Sequence, residues 1–174
     1  MRITISGPPG SGKTTVCNLL GERLQYEVVI SGNIFRQLAK ERNMSLADFG
    51  ALCELDAQVD KELDAKMVAI AQSKDNIILE GRLTAYMLSL HKIPAFKIYL
   101  HAAEEVRAAR VVNREGGTVE QRQAEIIERE QCEALRYKNY YDIDIKDTSV
   151  YDLVIDSSAL NPEEIVEKII SEMS

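Results

Sequence analysis

Five short apolar runs recur along the chain, and longer stretches with apolar residues at helical spacing separate them. The runs are Arg2 to Ser6, Glu27 to Ile30, Asn76 to Glu80, Phe96 to Leu100 and Asp152 to Asp156. Strands that alternate with helical segments are typical of a parallel sheet covered by helices on both faces. The pattern therefore predicts an α/β fold with a five-stranded parallel sheet.

Two segments depart from this alternation. Between the second and third runs, Leu63, Met67 and Ile70 follow helical spacing, and the segment predicts two or three helices without a strand. After the fourth run, two charged helical patterns meet at Gly116-Gly117, which predicts a helical hairpin. The chain therefore divides into a core of 1–30, 76–102 and 150–174, an insert of about 31–75, and a hairpin of about 103–141.

Composition limits the class of protein. A length of 174 residues with 45% hydrophobic residues suits a single domain spanning 1–174. The 21 basic and 28 acidic residues leave a net charge of −7, which disfavours nucleic acids and anionic membranes as partners. We expect no nucleic-acid partner and no membrane partner.

The cysteines and the apolar segments indicate the cellular compartment of the protein. Cys17, Cys53 and Cys132 lie far apart without a neighbouring histidine, so neither a zinc site nor a disulfide framework is indicated. The sequence contains no secretion-type apolar segment near its start and no apolar run long enough to span a bilayer. We expect a cytoplasmic protein, most simply a monomer.

The first run is followed by the loop GPPGSGKT, which fits the phosphate-binding pattern of Gly, four free positions and Gly-Lys-Thr. The glycines allow backbone N–H groups to surround phosphate oxygens, and the next helix points its positive N-terminus at the same anion. The pattern predicts that Lys13 reaches the terminal phosphates of ATP and that Thr14 ligates Mg²⁺. The predicted ATP-binding residues here are Gly7, Pro8, Pro9, Gly10, Ser11, Gly12, Lys13, Thr14 and Thr15.

Such a loop serves switches, motors and kinases alike. The Asn-Lys-x-Asp and Asp-x-x-Gly patterns of switch GTPases do not occur. Arg36 and Arg82 instead follow the second and third runs, at the sheet edge where ligands gather in open α/β folds. Guanidinium groups bind phosphates and stabilise the charge that develops during phosphoryl transfer. Further arginines occupy the hairpin, where pairing with exposed glutamates is an alternative role; they are Arg107, Arg110, Arg114, Arg129 and Arg136.

Four stretches together resemble one family. They read ITISGPPGSGKTT near the start, VISGNIFRQLAKERNMSLADF at 29–49, ILEGRL at 78–83, and a long stretch from REGGTVEQ at 114 to VIDSS at 158. In order and spacing they resemble nucleoside monophosphate kinases, most closely the short archaeal-type cytidylate kinases. The resemblance spans nearly the whole chain and implies a P-loop NTPase fold with a helical nucleoside monophosphate (NMP)-binding insert and a lid hairpin.

The resemblance also implies roles for individual residues. Ser31 and Arg36 would contact the acceptor nucleotide, although Ser31 also suits a helix N-cap. Arg82 would face the acceptor phosphate, and Glu80 stands where related kinases have an aspartate. The implied catalytic residues are Lys13, Arg82, Arg110 and Arg129. Arg107 and Arg114 would contact ATP, and Arg136 would contact CMP.

Asp60 and Asp64 are candidates for base recognition because a carboxylate accepts from the cytosine amino group. The alternative, which the sequence alone favours, is that both are solvated helix residues. Tyr137, Tyr140 and Tyr141 could stack on a nucleotide or form an interface, with core packing as the default.

The reaction implied is transfer of the terminal phosphate of ATP, with Mg²⁺, to CMP or dCMP. It needs no catalytic base, since the acceptor oxygen is already nucleophilic. The alternatives within the same chemistry are adenylate, shikimate and dephospho-coenzyme A kinases. An adaptor ATPase without an acceptor is a further alternative, whereas the acidic charge argues against an RNA-associated ATPase.

Overall fold

The computed structural model describes residues 1–174 and contains five strands and eight helices. The strands are β1 (Arg2–Ser6), β2 (Glu27–Ile30), β3 (Ile77–Glu80), β4 (Phe96–His101) and β5 (Leu153–Asp156). The helices are α1 (Lys13–Leu24), α2 (Ser31–Glu41), α3 (Leu46–Leu55), α4 (Ala57–Ser73), α5 (Thr84–Leu90), α6 (Glu104–Glu115), α7 (Val119–Tyr141) and α8 (Pro162–Met173). Each predicted strand agrees with the structure to within one residue at either end.

The strands form one parallel sheet in the order β2-β3-β1-β4-β5. β1 lies at the centre, where Ile5 pairs in register with Glu80 of β3 and with Ile98 of β4. A strand enclosed on both faces is apolar throughout rather than alternating, which explains the continuous runs in the sequence. The α/β fold is confirmed, and the carboxyl ends of β1, β2 and β3 meet at one edge.

An apolar core lies on each face of the sheet. One core joins Ile3 and Ile5 of β1 to Leu20 of α1 and Ile165 of α8. The other core joins β3, α4 and α5 and also buries Tyr137 near the end of α7. Because the two cores hold the sheet rigidly from both sides, the starting points of the loops at its carboxyl edge are fixed.

The insert and the hairpin have small apolar clusters of their own. In the insert, Leu38 and Phe49 pack with Val59 between α2, α3 and α4. In the hairpin, α6 and α7 meet through a cluster of three buried residues, and Gly116 and Gly117 form the turn with φ of 79° and 88°. The predicted helices and the predicted glycine turn are therefore present, while the division into core, insert and lid as moving parts stays a prediction.

None of the eight helices combines the length and the apolar composition that crossing a bilayer requires.

Candidate active site

The loop between β1 and α1 is held tightly by its surroundings. A Cβ atom on Gly7 would lie 2.1 Å from the backbone oxygen of Leu100, so only glycine lets the loop pass this close to β4. Ser11 is fully buried, and its hydroxyl has no hydrogen-bond partner in the protein. Ser157 donates to the Ser11 carbonyl oxygen over 2.9 Å. These contacts fix the loop at the N-terminus of α1, where a phosphate is favoured.

Lys13 occupies the first turn of α1 and reaches back over the loop, where its Nζ donates to the Pro8 carbonyl oxygen over 3.0 Å. Burial lowers the pKa of Lys13 to about 8, although the nearby Glu80 carboxylate opposes this shift. Burial likewise raises the pKa of Glu80, which ends β3. A partly desolvated ammonium group gains more from an incoming phosphate than a solvated one does.

Thr14 and Thr15 are exposed beside Lys13 at the start of α1. Mg²⁺ in nucleotide sites keeps several waters and takes few protein ligands besides the phosphates. The exposed Thr14 hydroxyl, with the Glu80 carboxylate close enough to Lys13 to influence its pKa, fits such a site.

Beside this loop lies a cleft of about 650 Å³ between the insert, the turn after β3 and helix α7. Ser6 of β1 donates to the Gly81 carbonyl oxygen over 2.8 Å, which ties the phosphate-binding loop to the turn that carries Arg82. Six of the predicted acceptor-site and lid residues line the cleft together with Arg129; the six are Ser31, Arg36, Asp60, Asp64, Arg82 and Arg136. Residues from three helices and one turn thus converge on a single space.

The arginines of the cleft differ in their partners. Arg82, only 14% exposed, donates through Nε to Glu133 over 2.6 Å. Arg129 donates through Nε to the other oxygen of Glu133 over 3.0 Å and is 65% exposed. Arg36 is exposed at the mouth of the cleft and bonds to Asn33 one turn earlier on α2. Arginines therefore reach the cleft from the insert, the core and the hairpin, among six acidic side chains of the same lining.

The two aspartates of α4 are not solvated surface residues, so that alternative is wrong. Asp60 is 12% exposed, and its Oδ2 lies 3.3 Å from the Nε of Arg136 without hydrogen-bond geometry. Asp64 accepts a hydrogen bond of 2.6 Å from the Tyr141 hydroxyl. Burial raises the pKa of Asp60, and it raises the pKa of Asp64 to about 6. The sequence alone favoured the solvated alternative because helical spacing does not show which helix will cover a face.

The lid arginines on α6 stand at different places. Arg107 is buried, bonds to Glu130 over 2.7 Å and approaches the Pro9 carbonyl oxygen at 3.4 Å. Arg110 bonds to the carbonyl oxygens of Gly10 and Ser157 over 3.2 and 2.6 Å. Both arginines therefore brace the backbone of the phosphate-binding loop.

Arg114 differs from these two, since it is 66% exposed and pairs with its neighbour Glu115. The structure thus does not bring Arg114 to the cleft or to the loop, and its contact with ATP stays a prediction. Core packing is confirmed for Tyr137, which is buried against the second core.

Glu133 is the residue of this site that the sequence interpretation overlooked. It is 7% exposed and holds two arginines, one from each side of the cleft. The spacing of Arg129 and Glu133, four residues apart on one helix, is the signal that could have indicated half of the arrangement. The contact with Arg82 joins residues 51 positions apart, which no local pattern indicates.

A phosphate-binding loop on a parallel sheet, facing an arginine-lined cleft beneath a helical hairpin, defines a small P-loop phosphotransferase. Residues 2–159 match the model of the cytidylate kinase-like family, and the chain belongs to that family. The resemblance predicted from the sequence is therefore confirmed, as is the enzyme class of a nucleoside monophosphate kinase.

Individual relatives agree with this assignment. The chain is 52% identical over 158 residues to a protein named cytidylate kinase from Methanococcoides burtonii, covering 91% of this chain and 88% of that one. It is 48% identical to the cytidylate kinase of Methanocorpusculum labreanum, covering 95% and 92% of the two chains. A shikimate kinase structure from Bacteroides thetaiotaomicron shares the fold, with a TM-score of 0.68, 12% identity and coverage of 99% and 98%.

Proposed function

We propose that this enzyme transfers the terminal phosphate of ATP to CMP or dCMP, giving ADP and CDP or dCDP. The observation that carries the proposal is the cleft beside the phosphate-binding loop, which gathers Arg36, Arg82, Arg129 and Arg136 around one space. Relatives that are about half identical over most of the chain, and that are named cytidylate kinase, support the choice of acceptor.

On the donor side, the loop from Gly7 to Gly12 surrounds the phosphates of ATP with backbone N–H groups. Lys13 neutralises the terminal phosphates, and its pKa, lowered by burial, rises again when they arrive. Thr14 would hold Mg²⁺, which would supply positive charge that offsets part of the charge of the donor phosphates. Arg107 and Arg110 keep the loop in shape through its carbonyl oxygens.

On the acceptor side, Arg36 from the insert and Arg82 from the core bind the phosphate of CMP. Ser31, at the start of α2, lines the same end of the cleft. An acceptor phosphate held between these groups and the donor needs no catalytic base, because its oxygen is already a nucleophile. The arginines offset the charge that develops on the transferring group.

Base recognition falls to Asp60 and Arg136. Each has a polar atom, Oδ2 and Nε respectively, that is buried without a hydrogen-bond partner, whereas Asp64 already accepts from Tyr141. Cytosine offers a donor in its amino group beside an acceptor in its ring nitrogen, and an aspartate with an arginine complements this pair. Uracil reverses both groups, so its carbonyl oxygen would face the Asp60 carboxylate and its ring N–H would face the Arg136 guanidinium.

A coupled assay of ADP production tests the proposal, with MgATP and, in parallel, CMP, dCMP, UMP, AMP, GMP, shikimate or no acceptor. A selective response to CMP and dCMP is expected. Equal slow turnover in every reaction would favour an adaptor ATPase, and selective turnover of AMP or shikimate would favour the corresponding kinase.

The choice between the two aspartates is testable by substitution. We expect Asp60→Asn to lower kcat/KM for CMP by about 10–100-fold relative to UMP. The amide accepts from the cytosine amino group without a charge, and it can also rotate to donate to the uracil oxygen. Asp64→Asn provides the contrast and is expected to keep the preference for CMP. An equal loss of CMP preference in both variants would contradict the assignment to Asp60.

We also propose that the enzyme acts as a cytoplasmic monomer in pyrimidine nucleotide metabolism, with no nucleic-acid or membrane partner. The net charge of −7 supports this, since it repels polyanions. Sedimentation at working concentration tests the monomeric state. The same measurement with RNA added tests the absence of a nucleic-acid partner.

A further inference from the structure

Glu133 occupies a central position in the cleft that the proposed chemistry leaves without a role. It lies on α7, in the hairpin, yet it contacts Arg82 of the core turn after β3. Its two oxygens are divided between two arginines, since Oε2 accepts from Arg82 and Oε1 accepts from Arg129. The carboxylate therefore bridges a core arginine and a hairpin arginine.

Both arginines use the same atom for this contact. Arg82 and Arg129 donate only through Nε, and neither makes a hydrogen bond to the protein through its terminal nitrogens Nη1 and Nη2. A guanidinium group bound through Nε alone keeps its remaining N–H groups available for a phosphate. Glu133 thus fixes the two side chains without occupying their phosphate-binding nitrogens.

The charges around Glu133 favour this arrangement. Although burial by itself raises the pKa of Glu133, the two arginines outweigh it and hold the pKa below its ordinary value. Glu133 and Glu80 are the two carboxylates near Lys13, Arg82 and Arg129, and together they offset two of these three positive charges. The cluster therefore keeps a net positive charge where a phosphate is transferred.

We propose that Glu133 is a positioning residue, which aligns Arg82 and Arg129 side by side with their terminal nitrogens free for the phosphates. The inference rests on the proposed function, since it assumes that these arginines bind the acceptor phosphate and the transferring phosphate. Glu133 acts through them and does not touch the substrate. Because it joins α7 to the core turn, it also brings the hairpin arginine into register with the core arginine.

A merely structural ion pair between α7 and the core makes a different prediction. Such a pair would stabilise the fold without affecting how tightly a phosphate is bound. A positioning role instead affects ligands in proportion to their phosphate contacts and leaves a ligand without a phosphate unaffected. CMP and cytidine differ only in that group.

The test compares wild type with Glu133→Gln and with Glu120→Gln, which removes an exposed charge near the start of the same helix. Glutamine keeps one oxygen, but its NH₂ group opposes the N–H of one arginine. We expect Glu133→Gln to lower kcat/KM for CMP by about 10–100-fold, with both a higher KM and a lower kcat. The inhibition constant of cytidine is expected to stay close to wild type. The thermal midpoint is expected to fall, because the nearly buried Arg82 loses its charged partner, so the kinetics are compared well below it.

A second variant separates charge from geometry. Glu133→Asp keeps the carboxylate but withdraws it by one methylene, so it is expected to fall between wild type and Glu133→Gln. It also serves the same comparison if Glu133→Gln does not fold.

The outcomes distinguish the two proposals. If wild type itself shows no CMP-dependent turnover, the proposed function fails. If wild type is active and Glu133→Gln matches Glu120→Gln, or if cytidine and CMP weaken in parallel, the positioning role is overturned.

Discussion

In the proposed function, Lys13 is the residue on which we expect the donor site to depend most. Its ammonium group makes one hydrogen bond to the protein, to the Pro8 carbonyl oxygen, which leaves two of its three N–H donors free. We expect Lys13→Met to lower kcat by about 10²–10³-fold, since it removes a charge that stabilises the transferring phosphate. The coupled assay measures this loss, and thermal unfolding serves as the control.

The folded protein is expected to tolerate this substitution, because Lys13 loses solvation on burial and its removal relieves that cost. A fall in the thermal midpoint of more than a few degrees would contradict this view of Lys13 as a functional rather than a structural residue.

Asp64 gives the protein a pH-dependent stability. Its pKa rises from 3.8 in the unfolded chain to about 6 in the folded protein, so the folded state binds more protons between these values. The free energy of unfolding contributed by this group therefore decreases as the pH rises from about 4 to about 6, and then stays level. The full shift corresponds to about 3 kcal/mol at most.

Asp64→Asn removes this titration and still accepts a hydrogen bond from Tyr141. We expect the variant to be more stable than wild type by about 1–3 kcal/mol at pH 8, with the difference vanishing near pH 4. Urea unfolding across this range measures it. A difference that does not change with pH would show that Asp64 keeps its ordinary pKa in the folded protein.

At the scale of elements, the approach of the phosphate-binding loop to β4 leaves no room for a side chain. The Cβ atom of Gly7→Ala would meet the backbone of Leu100, which cannot move without disturbing the sheet. We expect the free energy of unfolding to fall by about 1–3 kcal/mol. ATP binding is expected to weaken as well, because the loop has to shift.

Gly50→Ala is the matched control, since a Cβ at Gly50 meets nothing within 4 Å in helix α3. Alanine is the better helix former, so we expect this variant to gain about 0.5–1 kcal/mol. Chemical unfolding of both variants tests the contrast, and equal effects would refute the close approach of the loop to β4.

At the scale of the whole molecule, the insert and the hairpin each have an apolar cluster outside the two cores, which suits movement against a rigid sheet. The end of α4 and Tyr137 of α7 are packed in the second core and anchor both segments. We expect MgATP and CMP together to slow amide hydrogen exchange in α2–α4 and in α6–α7, because both segments contribute arginines to the same phosphates. The strands should exchange slowly with or without ligands. Protection spread evenly over the chain would contradict closure by these two segments.

The sequence determined the elements and the donor site. Local spacing and turn residues specify the five strands, the glycine turn of the hairpin and the phosphate-binding loop, because each depends on neighbouring residues. Sheet-edge position, carboxylate chemistry and the family resemblance together predicted the acceptor residues, and the cleft gathers the six of them around one space. The loop that holds Lys13 could be predicted in full because its eight residues are contiguous.

Only the tertiary structure decided which charged side chains of the cleft are buried and which of them pair. Glu133 meets Arg82 across 51 positions, and Asp60 meets Arg136 across a gap between two helices that no periodicity relates. Helical spacing places Asp60 and Glu133 on a helix but does not show whether that face meets water or another helix. Burial, pKa and pairing all depend on that choice, and the packing of distant segments makes it.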